Sequence, residues 1–148
     1  MGLTNLEEIE DFVSTNRRNL EAYANGTSTI AGLRLATPPA GARSNCQYVV
    51  VEIDEDRFGL SRDLVYRILH AEQVIARRYF YPGCHRMEPY RTIDPEAGRR
   101  LPQTEALANR VLCLPTGTQT SPDQIAQVCA LLQFLHANAP DVRARASA

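Results

Sequence analysis

The stretch Cys46–Ile53, CQYVVVEI, decides the fold. Its β-branched run predicts a strand that is apolar on both faces, and therefore central in its sheet. Downstream, Asp54–Gly59 reads as a turn, and Ser61 can cap a helix through about Glu72, with Leu64, Ile68 and Ala71 on one face. Val74–Phe80 reads as a second strand that runs into a loop rich in aromatics and prolines. Gln103–Arg110 predicts a short helix, and Val111–Leu114 a short strand ended by Pro115 and Gly117. Ser121-Pro122-Asp123-Gln124 combines a cap, a proline at the first helical position and a glutamine that closes the capping box. Ile125, Val128, Leu132 and Leu135 give the buried stripe of that helix, and the tail after Pro140 is expected to fray.

Upstream, residues 25–45 are rich in Gly, Thr, Ser, Pro and Ala and read as a connection, with a short strand at Leu33–Leu35. Residues 4–24 predict an amphipathic helix that ends before Gly26. Thr4 and Glu7 have capping-box spacing, and Leu6, Ile9, Val13, Leu20 and Tyr23 recur at three and four. The expected fold class is α/β (α+β): a small sheet with helices packed on one face. The first helix stands apart from this unit in the sequence pattern. Its apolar stripe calls for another domain or a second chain.

At 148 residues the chain suits one domain, and 44% hydrophobic residues supply a core. A net charge of −1 gives no basic field for nucleic acid. No apolar run approaches the roughly 18 residues of a membrane helix, and the acidic, helix-like start is unlike a signal peptide. The expectation is a cytoplasmic protein. Cys46, Cys84, Cys113 and Cys129 form no CxxC pair and read as buried free thiols. All 16 basic residues are arginine, so no lysine side chain can form a Schiff base.

The chemistry-bearing segment is Ala76–Arg91, ARRYFYPGCHRMEPYR. It holds four aromatics, four arginines, a Cys84-His85 pair and two prolines. Loops of such composition often carry function, because a rigid scaffold presents them to a partner or ligand. If the segment is extended, one of Arg77 and Arg78 shares a face with Phe80 and the other with Tyr79 and Tyr81. An arginine beside aromatic rings can hold a phosphate while a ring stacks on a base or sugar. The alternative is a solvated arginine beside a packed ring. Cys84-His85 as a nucleophile pair, or as a metal or redox module, is a weaker reading, because adjacent residues seldom face each other. No GxGxxG, GxxxxGK, GxSxG or HExxH motif occurs.

These segments resemble the C-terminal part of the DegT/StrS-type sugar aminotransferases. ARRYFYPGCHRMEPYR, then LPQTEALANRVLCLPTG at 101–117, then SPDQIAQVCALLQF stand in the order of that family's loop, LPxTExLAxRVLxLP segment and final helix. MGLTNLEEIEDFVSTNRRNLEAY is similar to the family's linker helix. The resemblance implies a fold-type I enzyme, dependent on pyridoxal phosphate (PLP) and dimeric, that aminates a keto sugar on a nucleotide. RRYFYP looks most like members acting on dTDP-linked 4-keto-6-deoxy sugars. By position in the loop, Tyr81 and His85 would line the sugar pocket, and Arg78 would steady a phosphate or the loop.

The family's Schiff-base lysine, pyridine-nitrogen aspartate and phosphate-binding turn belong to a cofactor domain that would lie upstream of Met1. The chain is therefore expected to be a linker helix (1–25), a C-terminal small domain (26–140) and a frayed tail (141–148), catalytically inactive and without bound PLP by itself. The alternative is a non-catalytic helper subunit that associates through the first helix with a full-length aminotransferase or with itself.

Overall fold

The computed structural model describes residues 7–146. Helix α1 spans Ile9–Thr27, and strands β1 (Leu33–Leu35) and β2 (Val49–Ile53) follow. Then come α2 (Glu55–Phe58), α3 (Arg62–Ala71), α4 (Tyr90–Ile93), α5 (Ala97–Arg100), α6 (Pro102–Ala108), β3 (Val111–Leu114), α7 (Pro122–Ala137) and α8 (Ala139–Ala146).

The sheet runs β1-β2-β3 and is antiparallel throughout. The predicted central strand is central, but it starts at Val49 rather than Cys46. Ser44 Oγ and Asn45 Oδ1 bind the backbone nitrogens of Cys46 and Gln47, and Cys46 takes φ +50°. That local turn competes with strand pairing. Nor are both faces equally covered: Val49, Val51 and Ile53 are buried, whereas Val50 and Glu52 are half-buried. Register places Leu114 opposite Val49 and Leu112 opposite Val51, so one apolar face is continuous.

Helices α1, α3 and α7 cover that face with Leu20, Tyr23, Val65, Leu69, Ile125, Val128, Leu132 and Leu135. Each such side chain contributes about 1.5–3 kcal/mol of apolar burial. The Ser121 capping box forms as read, its hydroxyl accepting from Gln124 N while the Gln124 side chain accepts from Ser121 N. Ser61 likewise caps α3. The buried face of α3 differs from expectation, with Arg62, Val65 and Leu69 innermost and Leu64 and Ile68 only partly covered.

The first helix does not stand apart. Its C-terminal half docks on α7: Tyr23 is fully buried, and its hydroxyl donates to Pro115 O at 2.9 Å. Burial there pushes the phenol well above its ordinary range, and the nearby Cys129 adds to the shift. Asn19 donates to Thr116 Oγ1 and Gly117 O. The helix also runs through Gly26 to Thr27. A Cβ at Gly26 would lie 2.6 Å from Cys129 Sγ, so this glycine serves helix–helix contact rather than a stop. Only the N-terminal half keeps an open stripe, with Ile9 and Phe12 exposed. The capping box starting at Thr4 and the residue Leu6 lie outside the described residues.

Four further expectations change. Val74–Phe80 is not a strand: a single bridge joins Arg77 to Cys113, and the chain then turns with Tyr81 N on Arg78 O. The tail forms α8 instead of fraying, because Ala139 is buried and Val142 packs on the core. The short helix before β3 is Pro102–Ala108, so it begins and ends earlier than Gln103–Arg110. Cys46, Cys113 and Cys129 are buried as expected, but Cys84 is exposed on a 3-10 turn, Cys84–Arg86. Burial raises the thiols of Cys113 and Cys129, which keeps them protonated and unreactive.

Candidate functional site

The segment from Arg77 to Leu101 leaves β3 at the Arg77–Cys113 bridge and meets the start of α3 through Arg78 and Asp63. Two clusters form there, and Tyr81 of the first is near enough to Arg86 of the second to act on its charge.

The first cluster is a column of alternating rings and guanidiniums. Arg78 Cζ stands 4.5 Å from the Tyr66 ring centroid and 4.8 Å from that of Tyr81. Arg62 Cζ stands 5.0 Å from the Tyr81 centroid on the same ring. Asp63 Oδ1 accepts from Arg62 Nε at 2.8 Å and from Arg78 Nη1 at 3.0 Å. Arg62 Nη1 donates to Ala108 O at 2.9 Å and Val111 O at 2.8 Å. Its Nη2 is the one buried side-chain nitrogen or oxygen without a hydrogen bond among the described residues. The guanidinium faces the Tyr81 ring, so cation–π attraction of about 0.5–2 kcal/mol takes the place of that bond.

The strand-like alternation expected of this segment is therefore replaced. Arg77 donates to the Tyr79 hydroxyl at 2.7 Å, while Arg78 turns to Tyr66 and Tyr81. Phe80 stays 72% exposed and partners neither arginine in a cation–π contact.

The second cluster centres on a carboxylate. Glu105 Oε1 lies 2.5 Å from Arg86 Nε and 2.5 Å from His85 Nε2. Hydrogen bonding by Arg86 first, and by His85 next, pulls the Glu105 carboxyl down to about 2. Glu105 in turn raises the Arg86 guanidinium, and Tyr81 adds weakly to that shift. Pro82, His85, Arg86, Arg91, Arg99 and Glu105 line a cavity of about 660 Å³. Arg91 pairs with Glu88 and Arg99 with Glu96 on the rim.

This carboxyl makes stability pH-dependent, with a definite sign. Its folded value near 2 lies below the roughly 4.3 of an unfolded glutamate. Its contribution is complete above about pH 4.3 and disappears as pH falls through 2. Urea unfolding followed by circular dichroism is expected to show the wild type more stable than Glu105→Gln at pH 7, with the difference shrinking below about pH 4. A difference that stays constant down to pH 2 contradicts the assignment.

Arg78 and Tyr81 are thus in direct contact, whereas His85 stands with Glu105 at the cavity wall, its side chain only 10% exposed. Sequence reasoning missed Arg62, Asp63 and Tyr66, which look like an ordinary capped helix start. It also missed Arg86 and Glu105, although the crowding of arginines between 77 and 100 was a visible signal. Among the described residues no three His, Cys, Asp or Glu side chains are grouped to hold a metal ion, and no helix is long and apolar enough to cross a membrane.

A model of the DegT/DnrJ/EryC1/StrS aminotransferase family matches residues 1–133. The dTDP-4-amino-4,6-dideoxy-D-glucose transaminase of Escherichia coli is 30% identical over 131 residues, which is 88% of this chain and 35% of that protein. The crystal structure of DesI in the presence of its TDP-sugar product superposes with a TM-score of 0.90 at 42% identity, over 100% of this chain and 37% of its own. The aminotransferase TlmJ from Streptoalloteichus hindustanus superposes with a TM-score of 0.74 at 27% identity, over 90% of this chain and 34% of its own. The chain spans about a third of the length of the relatives it matches.

Proposed function

Because the chain belongs to the DegT/DnrJ/EryC1/StrS aminotransferase family, we propose that it is the substrate-facing C-terminal domain of a PLP-dependent aminotransferase for dTDP-linked 4-keto-6-deoxy sugars. The similarity to DesI over the whole chain carries this reading. Residues 1–25 serve as the linker to a cofactor domain and 26–140 as the small domain.

The residues present do not fit the cofactor itself. PLP chemistry needs a lysine amine to hold the aldehyde, and the 148 residues contain none. The proposed work of this domain is binding and positioning. In this reading His85 lines the sugar pocket, and Tyr81 stands beside it, next in the chain to Pro82 of the same wall. Arg78, already committed to Asp63, Tyr66 and Tyr81, steadies the loop that carries them.

The exposed Ile9 and Phe12 on α1 favour association, either with a cofactor-bearing chain or as a dimer. That surface also keeps the helper-subunit reading in play, and a cytoplasmic location belongs to the same proposal.

The purified chain mixed with PLP and an amino donor is expected to show no lysine-aldimine absorbance and no transamination. Light scattering on the same sample is expected to give more than the monomer mass. A cofactor trapped on this polypeptide by borohydride overturns the proposal. A strict monomer removes the association.

A further inference from the structure

One carboxylate decides which nitrogen of His85 is left for a ligand. An ionised Glu105 can only accept, so the hydrogen across the 2.5 Å contact sits on His85 Nε2. A neutral imidazole carries one N–H, which leaves Nδ1 as an acceptor. Arg86 Nε binds the same Glu105 oxygen and holds the carboxylate in place. A Cβ at Gly98 would lie 2.9 Å from that oxygen, so α5 closes tightly behind it.

The ring edge that runs from Cε1 to Nδ1 is bordered by Gly83. A Cβ there would stand 2.8 Å from His85 Cε1 and 3.1 Å from Nδ1, and Gly83 has φ +93°. A larger residue would both strain the turn and cover the edge that carries Nδ1.

We propose that Glu105 is a positioning residue that fixes His85 as its Nε2–H tautomer, making Nδ1 an acceptor for a ligand hydroxyl or amino group. The role toward a ligand rests on the reading of this cavity as a sugar pocket. The cavity's donors and acceptor then divide the work. Arg86, Arg91 and Arg99 donate and suit phosphate oxygens, while the imidazole accepts and suits an O–H or N–H.

The full chain has three histidines, and the other two are internal references. His70 Nε2 lies 2.8 Å from Ala76 O and His136 Nδ1 lies 3.0 Å from Phe58 O, so each donates from a known nitrogen to a carbonyl. Imidazole 15N–1H correlation spectra of the labelled chain at about pH 8.5, well above the ordinary imidazole value of roughly 6.5, read all three. The expected result is a protected Nε2–H proton on His85. Glu105→Gln keeps that proton, because the amide oxygen still accepts, but shifts it upfield. Glu105→Ala loses it to solvent exchange, while the His70 and His136 signals persist.

A His85 protonated on Nδ1 in the wild type, or an Nε2–H unchanged in Glu105→Ala, overturns the proposal. Should Glu105→Ala lose all three signals by unfolding, Glu105→Gln decides: a retained Nε2–H supports the assignment and an Nδ1–H overturns it. The spectra need neither sugar nor cofactor. Their failure is therefore separate from failure of the aminotransferase reading, which rests on the borohydride result.

Discussion

Replacing Arg62 with leucine is expected to lower the unfolding free energy by about 3–5 kcal/mol, because two backbone carbonyls lose a buried donor and the Tyr81 ring loses a cation. The Arg62 side chain is 1% exposed, and Nη1 holds the carbonyls of Ala108 and Val111. Those carbonyls end α6 and open β3, and leucine leaves both without this donor, at roughly 1–3 kcal/mol each. Asp63 is half exposed and rehydrates, so its loss of a partner adds little. The Tyr81 ring also loses one of its two guanidiniums, which loosens the loop that faces the cavity. Arg78→Ala is the internal comparison. Arg78 is one-third exposed, and its removal is expected to cost about 1 kcal/mol. Urea midpoints at constant slope give both numbers. An Arg62→Leu protein within about 1 kcal/mol of wild type would show that the column is surface decoration.

Gly32→Ala is expected to be nearly as damaging, at about 3 kcal/mol or more. Gly32 takes φ +76° just before β1, and its carbonyl accepts from Asp54 N at 2.8 Å. A Cβ there would stand 2.2 Å from Phe58 N and 2.6 Å from Arg57 C. The obstacle is backbone of α2, which cannot swing aside as a side chain can. Gly41 and Gly117 separate the two causes, because both have positive φ with nothing within 4 Å of an added Cβ. Alanine at either carries only the left-handed penalty of about 1–2 kcal/mol. Thermal melts are expected to place Gly32→Ala roughly 10 °C below wild type, and clearly below both comparison variants. Equal losses at the three glycines would remove the backbone clash from the argument.

Both substitutions fall at positions that sequence reasoning passed over, and for related reasons. Arg62 follows Ser61, whose cap was legible, so it read as the first residue of a helix with a solvated charge. Its burial comes from Ala108 and Val111, far along the chain. Gly32 sat in a connection rich in turn residues, and the backbone it touches belongs to α2. Glu105 was visible inside LPQTEALA but had no partner in view, because His85 and Arg86 reach it from 20 and 19 residues away.

Local chemistry was written in neighbouring residues, and it was read correctly from them. The Ser121 capping box, the Ser61 cap, the strand Val111–Leu114 and the Val49–Ile53 part of the strand expected over Cys46–Ile53 each depend on hydrogen bonds or periodicity within a few positions. The order of the segments was enough to point to the family. Tertiary structure decided the rest. Val74–Phe80 has the composition of a strand, but after Arg77 its aromatics and arginines find partners on α3 and beside β2 instead of a strand ladder. Ala139 and Val142 order a tail of weak local signal because the core is there to receive them. The first helix carries one stripe in sequence, yet Tyr23 is buried and Ile9 is exposed, because Cys129 and Gln133 of α7 meet it at Tyr23 and Gly26, near its C-terminal end. Periodicity states which side chains seek cover. Only contact between distant segments states which of them receive it.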